Sequence, residues 1–376
     1  MNKKVLFLIE SLAGGGAEKV LSVIVKYIDY NHYDVTVCPM VDIGTYRDDV
    51  KKYASYYSPV ITYQGHVLSR FWNMVKYKLI YSYLPLHWVY KWFIPQGYDI
   101  EIAFCEGYVT KLLSQSNSMA KKIAWIHTDL TDNPWPTELG IFQNDEEERK
   151  AYSCFSKIVC VSHTVEQSFH EKYGLNDMTC TIYNPIDTRH IRDLAGQKES
   201  RRNDMLQVIS IGRLVPQKGF DRLLKVAKRL HDMDFQFHLH ILGEGQERKN
   251  LEDYVAKNAM ESYVSLRGFC ENPYSHLINS DLFVCSSRVE GFSLVIAEAM
   301  LLGVPVISTY CSGPNELLQD GKYGMLVENS EEGLYMGLKS ALNMPKKNVC
   351  IEVAQERIKD FLPQMIIRQI EVLLDE

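Results

Sequence analysis

Short apolar runs recur along the chain, and each is followed by a polar turn and a segment whose apolar residues repeat at helical spacing. Alternation of this kind predicts parallel strands joined by crossover helices. In the first half the predicted strands are residues 5–9, 35–38, 100–104, 123–126 and 158–161. In the second half they are residues 206–211, 237–242, 263–266, 282–285 and 304–307. The pattern therefore predicts an α/β protein with two doubly wound domains.

A polar stretch separates the two series of strands. It follows Asn184-Pro185-Ile186-Asp187, continues through Arg201-Arg202-Asn203-Asp204, and has the composition of a linker. We expect a first domain over residues 1–188, a second over 189–350, and a C-terminal helical segment over 351–376 that Pro363 kinks or breaks. Because doubly wound sheets bind ligands at the carboxyl ends of their strands, the site is expected in a cleft between the domains.

Composition narrows the classes of protein that fit. The 376 residues suit two domains of ordinary size, and a net charge of -6 gives no reason to expect a nucleic-acid partner. The nine cysteines are scattered without a C-x-x-C pair, which favours reduced thiols in a cytoplasmic protein over a zinc site or a disulfide framework. The first apolar run ends at Glu10 and is too short for a signal peptide.

A glycine-rich loop follows the first predicted strand. In Gly14-Gly15-Gly16-Ala17-Glu18, the glycines Gly15 and Gly16 would let backbone amides approach an anion at the start of a helix. The spacing is not G-x-G-x-x-G, and a tight strand-to-helix turn explains the same residues equally well.

Two cations follow the first strand of the second series. Arg213 and Lys218 lie in a turn that contains glycine and proline, just before a predicted helix. A diphosphate could accept hydrogen bonds from both, and their charge would stabilise a departing nucleotide diphosphate. The alternative is a pair of solvated cations on a surface loop.

Two carboxylates flank a further predicted helix start. Glu290 would lie in the loop and Glu298 inside the helix, while Gly291, Phe292 and Ser293 would present backbone amides to a phosphate. A carboxylate is a suitable acceptor for a vicinal diol such as ribose. Glu298 could instead lie on a solvated helix face, but its neighbours are apolar, and burial without a partner would be costly.

Taken together, these residues resemble glycosyltransferase family 4, and the resemblance covers nearly the whole chain. It rests on the glycine loop, His127, Gly212-Arg213 with Lys218-Gly219, the Gly243-x-Gly245 pair and the two-glutamate motif, in that order. The resemblance implies a GT-B fold, in which two Rossmann-like domains face each other across a cleft and a C-terminal helix packs back on the first. It also implies retaining transfer from a nucleotide sugar without a divalent metal.

The same resemblance implies a role for each motif residue. Arg213 and Lys218 look like a diphosphate clamp, Glu298 resembles the glutamate that holds the ribose hydroxyls, and Glu290 the one that faces the donor sugar. Backbone amides from Gly291 to Leu294 would bind the donor.

Three more positions complete the implied site. His127, at the end of a strand of the first domain, matches a histidine near the sugar, although a lone histidine is more often structural. Gly243, Gly245 and Phe269 would line the nucleotide side. The expected catalytic groups are thus His127, Glu290, Arg213 and Lys218.

The expected reaction moves a hexose or N-acetylhexosamine to a glycan acceptor, expected to be lipid-linked, in surface polysaccharide biosynthesis. The nucleotide diphosphate sugar is a substrate, with a UDP-sugar favoured over a GDP-sugar, and no resident cofactor is expected. Two alternatives stay open, a nucleotide-sugar 2-epimerase and a catalytically silent binding subunit of the same fold.

One segment of the first domain is basic and aromatic. Residues 51–98 contain no Asp or Glu, and six of them are Lys or Arg. Tyrosine and tryptophan crowd residues 69–93, as in surfaces that rest at a membrane interface. We expect this segment to touch an anionic membrane, on the inner face of the plasma membrane, or else to form an aromatic core or a subunit contact.

Overall fold

The computed structural model describes residues 2–61, 67–196, 205–343 and 351–376. The chain divides into two compact units, the first formed by Met1–Pro185 with Pro363–Glu376 and the second by Ile186–Leu362. Each unit is built on its own parallel sheet with helices between the strands. The predicted α/β class with two Rossmann-like domains is confirmed.

The first unit has a seven-stranded sheet in the order β4-β2-β1-β6-β7-β8-β9, and β3 pairs with β5 beside it. Its strands are β1 (Lys3–Ile9), β2 (Tyr33–Pro39), β3 (Val41–Asp42), β4 (Ser55–Tyr56), β5 (Val60–Ile61), β6 (Ile100–Ala103), β7 (Lys121–Ile126), β8 (Lys157–Cys160) and β9 (Thr179–Thr181). Every pairing is parallel. The order reverses direction between β1 and β6, the position at which such sheets open a crevice for ligands.

Helices connect these strands. They are α1 (Gly16–Tyr27), α2 (Arg47–Lys51), α3 (Val67–Lys78), α4 (Leu86–Phe93), α5 (Tyr108–Ser114), α6 (Trp135–Glu138), α7 (Asp145–Tyr152) and α8 (His163–Tyr173). A π-helical turn, Leu79–Tyr83, lies between α3 and α4, and a 3-10 turn, Asn176–Met178, precedes β9. The central strands are buried on both faces, which explains why they stand out as continuous apolar runs in the sequence.

The second unit has a six-stranded sheet in the order β12-β11-β10-β13-β14-β15. Its strands are β10 (Leu206–Ile211), β11 (Phe237–Leu242), β12 (Val264–Gly268), β13 (Leu282–Cys285), β14 (Val306–Thr309) and β15 (Met325–Val327). All of these pairings are parallel, and the order reverses between β10 and β13. This unit therefore repeats the topology of the first, with its own switch point.

The helices of the second unit cover this sheet. They are α9 (Thr188–Ala195), α10 (Phe220–His231), α11 (Arg248–Lys257), α12 (Tyr274–Ile278), α13 (Leu294–Leu301), α14 (Ser312–Leu318), α15 (Glu331–Asn343) and α16 (Ile351–Arg357), with 3-10 turns at Pro216–Lys218 and Ile358–Phe361. Helix α10 shows how the sequence specifies this packing. Its Phe220, Leu223, Leu224, Ala227 and Leu230 follow the i, i+3, i+4 rule and are all buried in the core of the unit.

Two predicted strands of the second unit are displaced in the structure. The strand expected at 304–307 is β14, Val306–Thr309, and the one expected at 263–266 is β12, Val264–Gly268. Pro305 has no N–H group to donate to the sheet. Its carbonyl accepts from the Phe283 N–H, and β14 begins at the next residue. The short strands β3, β4, β5, β9 and β15 were not predicted, because runs of two or three residues carry no readable periodicity.

The domain boundaries also differ from the expected ones. The crossing into the second unit falls at Ile186, and the first part of the expected linker is helix α9, which packs against α12. The charged end of that linker, residues 197–204, lies outside the described residues.

The return to the first unit begins later than residue 351. Helix α16 stays with the second unit, where Gln355 donates to the Leu301 carbonyl at 3.2 Å and Phe361 meets Phe292 ring to ring. Pro363 then opens a new helix, α17 (Pro363–Asp375), which packs against α1 in the first unit. The predicted break at Pro363 is confirmed, because proline is favoured at the first position of a helix.

Candidate functional site

A lysine and a glutamate meet at the switch point of the second sheet. Lys218 ends the 3-10 turn after β10, and Glu290 lies in the loop after β13. The Lys218 Nζ atom is 2.5 Å from Glu290 Oε1, and the Ser287 hydroxyl lies 3.5 Å from the same oxygen. The two side chains are only 21% and 16% exposed. The sequence assigned them to different parts of one ligand, and the structure brings them into direct contact.

The loops that carry this pair are fastened to each other. The Ser286 hydroxyl donates to the Lys218 carbonyl at 2.8 Å. The Arg222 guanidinium donates to the Ser286 carbonyl at 2.8 Å and to the Ser287 carbonyl at 2.9 Å. Arg222 is 6% exposed, and its burial lowers the pKa of the guanidinium. Sequence reasoning missed Arg222, although a cation on the otherwise apolar face of α10 was a signal that could have identified it.

Arg213 lies at the same edge of the sheet, in the loop directly after β10. Its side chain is exposed, and among the residues that the structure describes it has no hydrogen-bond or ion-pair partner. The second cation of the predicted clamp is thus available to an incoming anion.

Gly243 and Gly245 bring the loop after β11 onto the loop after β10. A Cβ atom at Gly243 would lie 1.9 Å from the Gly212 carbonyl oxygen, and one at Gly245 would lie 2.4 Å from the Leu214 carbonyl oxygen. Both glycines have a positive φ, 144° and 159°. Since any side chain would push these loops apart, the two glycines are required for the shape of the loop after β10.

Helix α13 begins where the two-glutamate motif predicts. Ser293 is its N-cap residue and Leu294 its first residue, and no side chain caps the helix. The first N–H groups of such a helix have no partner within the helix. Phe292 contacts Phe361 with ring centroids 5.4 Å apart, and the Gly313 backbone lies against Gly291. The backbone at the start of α13 is therefore suited to bind an anion.

Glu298 lies in the second turn of α13 and is 2% exposed. The solvated helix face that the sequence left open is therefore wrong for this residue. Phe269, by contrast, follows β12 and is 58% exposed, so its ring is accessible at the carboxyl edge of the sheet.

The predicted residues of the first unit also lie at a carboxyl edge. Gly15 is the N-cap of α1 and Gly16 its first residue, directly after β1. His127 follows β7. The His127 Nε2 atom is 3.1 Å from the Phe104 carbonyl oxygen, which can only accept, so the tautomer with a hydrogen on Nε2 fits. Although part of this residue is exposed, burial of the ring lowers its pKa to about 4, and His127 is neutral near pH 7.

A buried glutamate holds His127 in place. The Glu106 carboxyl accepts hydrogen bonds from the backbone N–H groups of His127 and Thr128, at 2.5 Å and 2.7 Å. Glu106 is 4% exposed, and burial raises its pKa to about 7 despite these hydrogen bonds. No sequence motif indicated this role. Only the position of Glu106 after a strand that neighbours β7 could have suggested it.

The basic and aromatic segment is largely at the surface. Its exposed large hydrophobic side chains in the described part are Tyr53, Tyr57, Ile61, Phe71, Trp72, Met74, Tyr77, Tyr83, Trp88 and Trp92. Lys76, Lys78 and Lys91 are exposed beside them. Ile80, Val89 and Ile94 are buried and anchor the segment, as is Tyr90, whose hydroxyl donates to Glu101. The aromatic core that the sequence left open is therefore wrong for the exposed rings. The side chain of Arg70 lies outside the described part.

In the described ranges, no group of three or more His, Cys, Asp or Glu side chains could hold a metal ion. None of the helices described is long and apolar enough to span a bilayer.

Two family models match nearly the whole chain. Glycosyltransferase Family 4 matches residues 14–190, and Glycosyl transferases group 1 matches residues 192–357. The two matches meet close to the crossing between the units at Ile186.

Individual relatives match about half of the chain. The N-acetylgalactosamine-N,N'-diacetylbacillosaminyl-diphospho-undecaprenol 4-alpha-N-acetylgalactosaminyltransferase of Campylobacter jejuni is 31% identical over 179 residues, 47% of this chain and 48% of that protein. The lipopolysaccharide core biosynthesis glycosyltransferase LpsE of Rhizobium meliloti is 29% identical over 194 residues, 52% of this chain and 53% of that protein. The chain thus spans about half the length of these relatives.

Solved structures match over the full length. HepE of Anabaena, in complex with UDP and glucose, has a TM-score of 0.77 at 20% identity and covers 100% of both chains. TarM of Staphylococcus aureus has a TM-score of 0.74 at 14% identity and also covers 100% of both chains. At these identities the likeness concerns the fold.

The buried Glu106 predicts a pH dependence of stability. Its carboxyl has a pKa of about 7 in the folded chain and 4.5 in a model peptide. Protonation favours the folded form, so this contribution is full below pH 4.5 and is lost as the pH rises through 7. The amide oxygen of Glu106→Gln still accepts from both N–H groups but does not titrate. Over this pH range the free energy of unfolding of the wild type should fall by on the order of 3 kcal/mol relative to that of Glu106→Gln. The measurement is urea unfolding at pH 5 and pH 8.

Tryptophan fluorescence reports on the right part of the molecule, because all five tryptophans lie in the first unit. Glu138→Gln, at an exposed position, is the matched control and should not change the pH dependence. If the free energies of unfolding of the wild type and Glu106→Gln differ by the same amount at both pH values, the raised pKa of Glu106 is contradicted.

Proposed function

We propose that this chain, whose two halves match the models of Glycosyltransferase Family 4 and Glycosyl transferases group 1, is a retaining glycosyltransferase. It moves a hexose or N-acetylhexosamine from a nucleotide diphosphate sugar to a glycan acceptor. The observation that carries this proposal is the Lys218–Glu290 pair at the switch point of the second sheet, beside an exposed Arg213.

Lys218 and Glu290 can each bind a different part of the donor, Lys218 the diphosphate and Glu290 the sugar. An arriving diphosphate competes with Glu290 for Lys218 and finds Arg213 and the first N–H groups of α13 at the same edge. Glu290, released from Lys218, is then free to accept from hydroxyls of the donor sugar. Glu298 is the proposed acceptor for the ribose hydroxyls, and its burial favours a fixed orientation.

The proposed reaction follows from the charges that these residues supply. The bond between the anomeric carbon and the diphosphate oxygen breaks, and Lys218 and Arg213 stabilise the negative charge that collects on the leaving diphosphate. The acceptor hydroxyl attacks from the same face, and its proton passes to the departing phosphate oxygen. The anomeric configuration is retained. The role that family resemblance gives to His127, contact with the transferred sugar, stays a prediction.

The donor is proposed to be a UDP-sugar. HepE of Anabaena is solved with UDP and glucose and with UDP-glucose, and TarM of S. aureus with UDP. We propose that the reaction uses neither a resident cofactor nor a divalent metal, which is what the family resemblance implies.

The acceptor is proposed to be a lipid-linked glycan in surface polysaccharide biosynthesis. The C. jejuni relative is named for a diphospho-undecaprenol substrate, and the R. meliloti relative for lipopolysaccharide core biosynthesis. A lipid-linked substrate is reached at a membrane surface, and the exposed aromatic rings and lysines of α3 and α4 have the composition that rests on anionic headgroups. We therefore propose that the protein acts in the cytoplasm, on the inner face of the plasma membrane.

A nucleotide-release assay in EDTA tests the reaction class. With UDP-glucose and an octyl glycoside, we expect UDP release that depends on the glycoside and yields a longer glycoside. Acceptor-independent release of an altered sugar would instead identify a 2-epimerase, and absence of release with any nucleotide sugar would identify a silent binding subunit. Loss of activity in EDTA that manganese restores would refute the metal-independent mechanism.

Replacing Lys218 tests the clamp. Lys218→Ala removes a charge-assisted contact worth about 1.5 to 3 kcal/mol to the leaving diphosphate. Turnover should fall roughly 10- to 150-fold. The matched control is Lys225→Ala, which removes an exposed lysine from the neighbouring helix α10 and should keep wild-type turnover. Near wild-type turnover of Lys218→Ala would remove Lys218 from the clamp.

Cosedimentation with vesicles of phosphatidylcholine and phosphatidylglycerol tests the membrane surface. Each lysine near such a surface contributes about 1 kcal/mol to the free energy of binding. The triple variant Lys76→Glu, Lys78→Glu and Lys91→Glu should therefore have a vesicle-binding constant at least about a hundredfold lower than that of the wild type. The control reverses three exposed lysines of the second unit, Lys225, Lys257 and Lys322. Failure of the wild type to bind at low salt would exclude the membrane proposal.

A further inference from the structure

An aromatic stack and a carboxyl group lie together at the switch point of the first sheet. Glu10 directly follows β1, and Tyr108 begins α5 shortly after β6, the strand that neighbours β1 across the reversal of strand order. The Tyr81 hydroxyl donates to Glu10 Oε2 at 2.7 Å. The mechanism proposed above uses none of these residues.

The three tyrosine rings are arranged in a row. Tyr77 and Tyr81 have ring centroids 4.6 Å apart and Tyr81 and Tyr108 4.5 Å apart, with 32° between the ring planes in both pairs. Tyr81 is enclosed between the other two rings, and Tyr77 is 46% exposed at the outer end. The Tyr108 hydroxyl donates to the Ile80 carbonyl at 2.7 Å, which holds the row against the rest of the unit.

The backbone around Tyr81 is irregular. Tyr81 lies in the π-helical turn Leu79–Tyr83, which closes with a hydrogen bond from the Leu84 N–H to the Leu79 carbonyl at 2.9 Å. Such turns are rare and occur frequently at functional sites. This turn places the Tyr81 hydroxyl on Glu10.

Glu10 retains hydrogen-bonding capacity. Tyr81 occupies Oε2, and in the part of the chain that the structure describes no donor is paired with Oε1. Burial raises the pKa of Glu10 to about 7, which the Tyr81 hydrogen bond offsets only in part. Near neutral pH the carboxyl can therefore both accept from a hydroxyl and donate to one.

A sugar ring requires both of these features. One face of a hexopyranose is lined by C–H groups that pack on an aromatic ring, and its edge carries hydroxyls that a carboxyl group binds. We propose that Glu10 and the stacked rings of Tyr77, Tyr81 and Tyr108 form the subsite for a hexopyranosyl ring of the acceptor. The inference rests on the proposed transferase function, and it assigns the ring to the acceptor and not to the donor. Tyr77 supplies the outer stacking face, and Tyr81 positions Glu10.

Steady-state kinetics with UDP-glucose and octyl glycosides of glucose, galactose, N-acetylglucosamine and N-acetylgalactosamine test the assignment. For the best glycoside, Glu10→Gln should raise the acceptor KM about tenfold or more, and Tyr77→Leu about three- to tenfold. The KM for UDP-glucose should stay within about twofold of wild type, since the donor is bound elsewhere. Tyr83→Leu is the matched control, because Tyr83 is 73% exposed in the same π-helical turn but lies outside the stack. It should leave both KM values unchanged.

The outcomes separate this inference from the proposed function. An acceptor KM within twofold of wild type in both Glu10→Gln and Tyr77→Leu, or an equal rise in the donor KM, would overturn the subsite. If the wild type releases no nucleotide, saturation-transfer NMR with the same glycosides still decides the subsite. Transfer to the sugar ring that Tyr77→Leu abolishes and Tyr83→Leu keeps supports it, and unchanged or absent transfer refutes it. Tyr77 is exposed, so its substitution tests the subsite even if Glu10→Gln fails to fold.

Discussion

The ion pair between Lys218 and Glu290 is the interaction on which the second unit's site depends. With both side chains mostly buried, each charge compensates the other. The loops that carry the pair are fixed independently, through Ser286, Arg222 and the paired glycines of the loop after β11. A ligand can therefore separate the two charges without rearranging the backbone.

The first unit places a different kind of chemistry at the equivalent topological position. Glu10 and Glu106 follow β1 and β6, and neither forms an ion pair with a cation in the described part of the chain. Burial raises the pKa of both carboxyls to about 7. One unit thus has a cation and a carboxylate held in contact, suited to a diphosphate. In the other, Glu10 is a partly charged carboxyl suited to hydroxyls, and Glu106 holds the backbone of His127. The same fold supports both because the chemistry lies in the loops after the strands.

The sequence could predict the parts of this fold that local pattern controls. Long buried strands such as β1 and β11 were predictable because both of their faces are apolar, and α13 because a loop motif precedes it. The edge strands β4 and β9 were not, because they depend on a neighbouring strand for their existence.

Partners were harder to predict than positions. Lys218 and Glu290 are 72 residues apart, and their contact depends on β10 and β13 being neighbours. Among the aromatic residues of the basic segment, Trp72 and Trp92 are at the surface, while the hydroxyls of Tyr81 and Tyr90 donate hydrogen bonds to the carboxyls of Glu10 and Glu101. Composition alone does not separate these cases, since the burial of each ring is decided by tertiary contacts.

Calorimetric titration with UDP tests the central claim most directly, because UDP carries the diphosphate without the sugar. If Lys218 exchanges Glu290 for the diphosphate, Glu290→Gln should bind UDP at least as tightly as the wild type, and Lys218→Ala should bind it roughly 10- to 150-fold more weakly. Equal affinity of the wild type and Lys218→Ala, or loss of UDP binding in Glu290→Gln, would contradict the account.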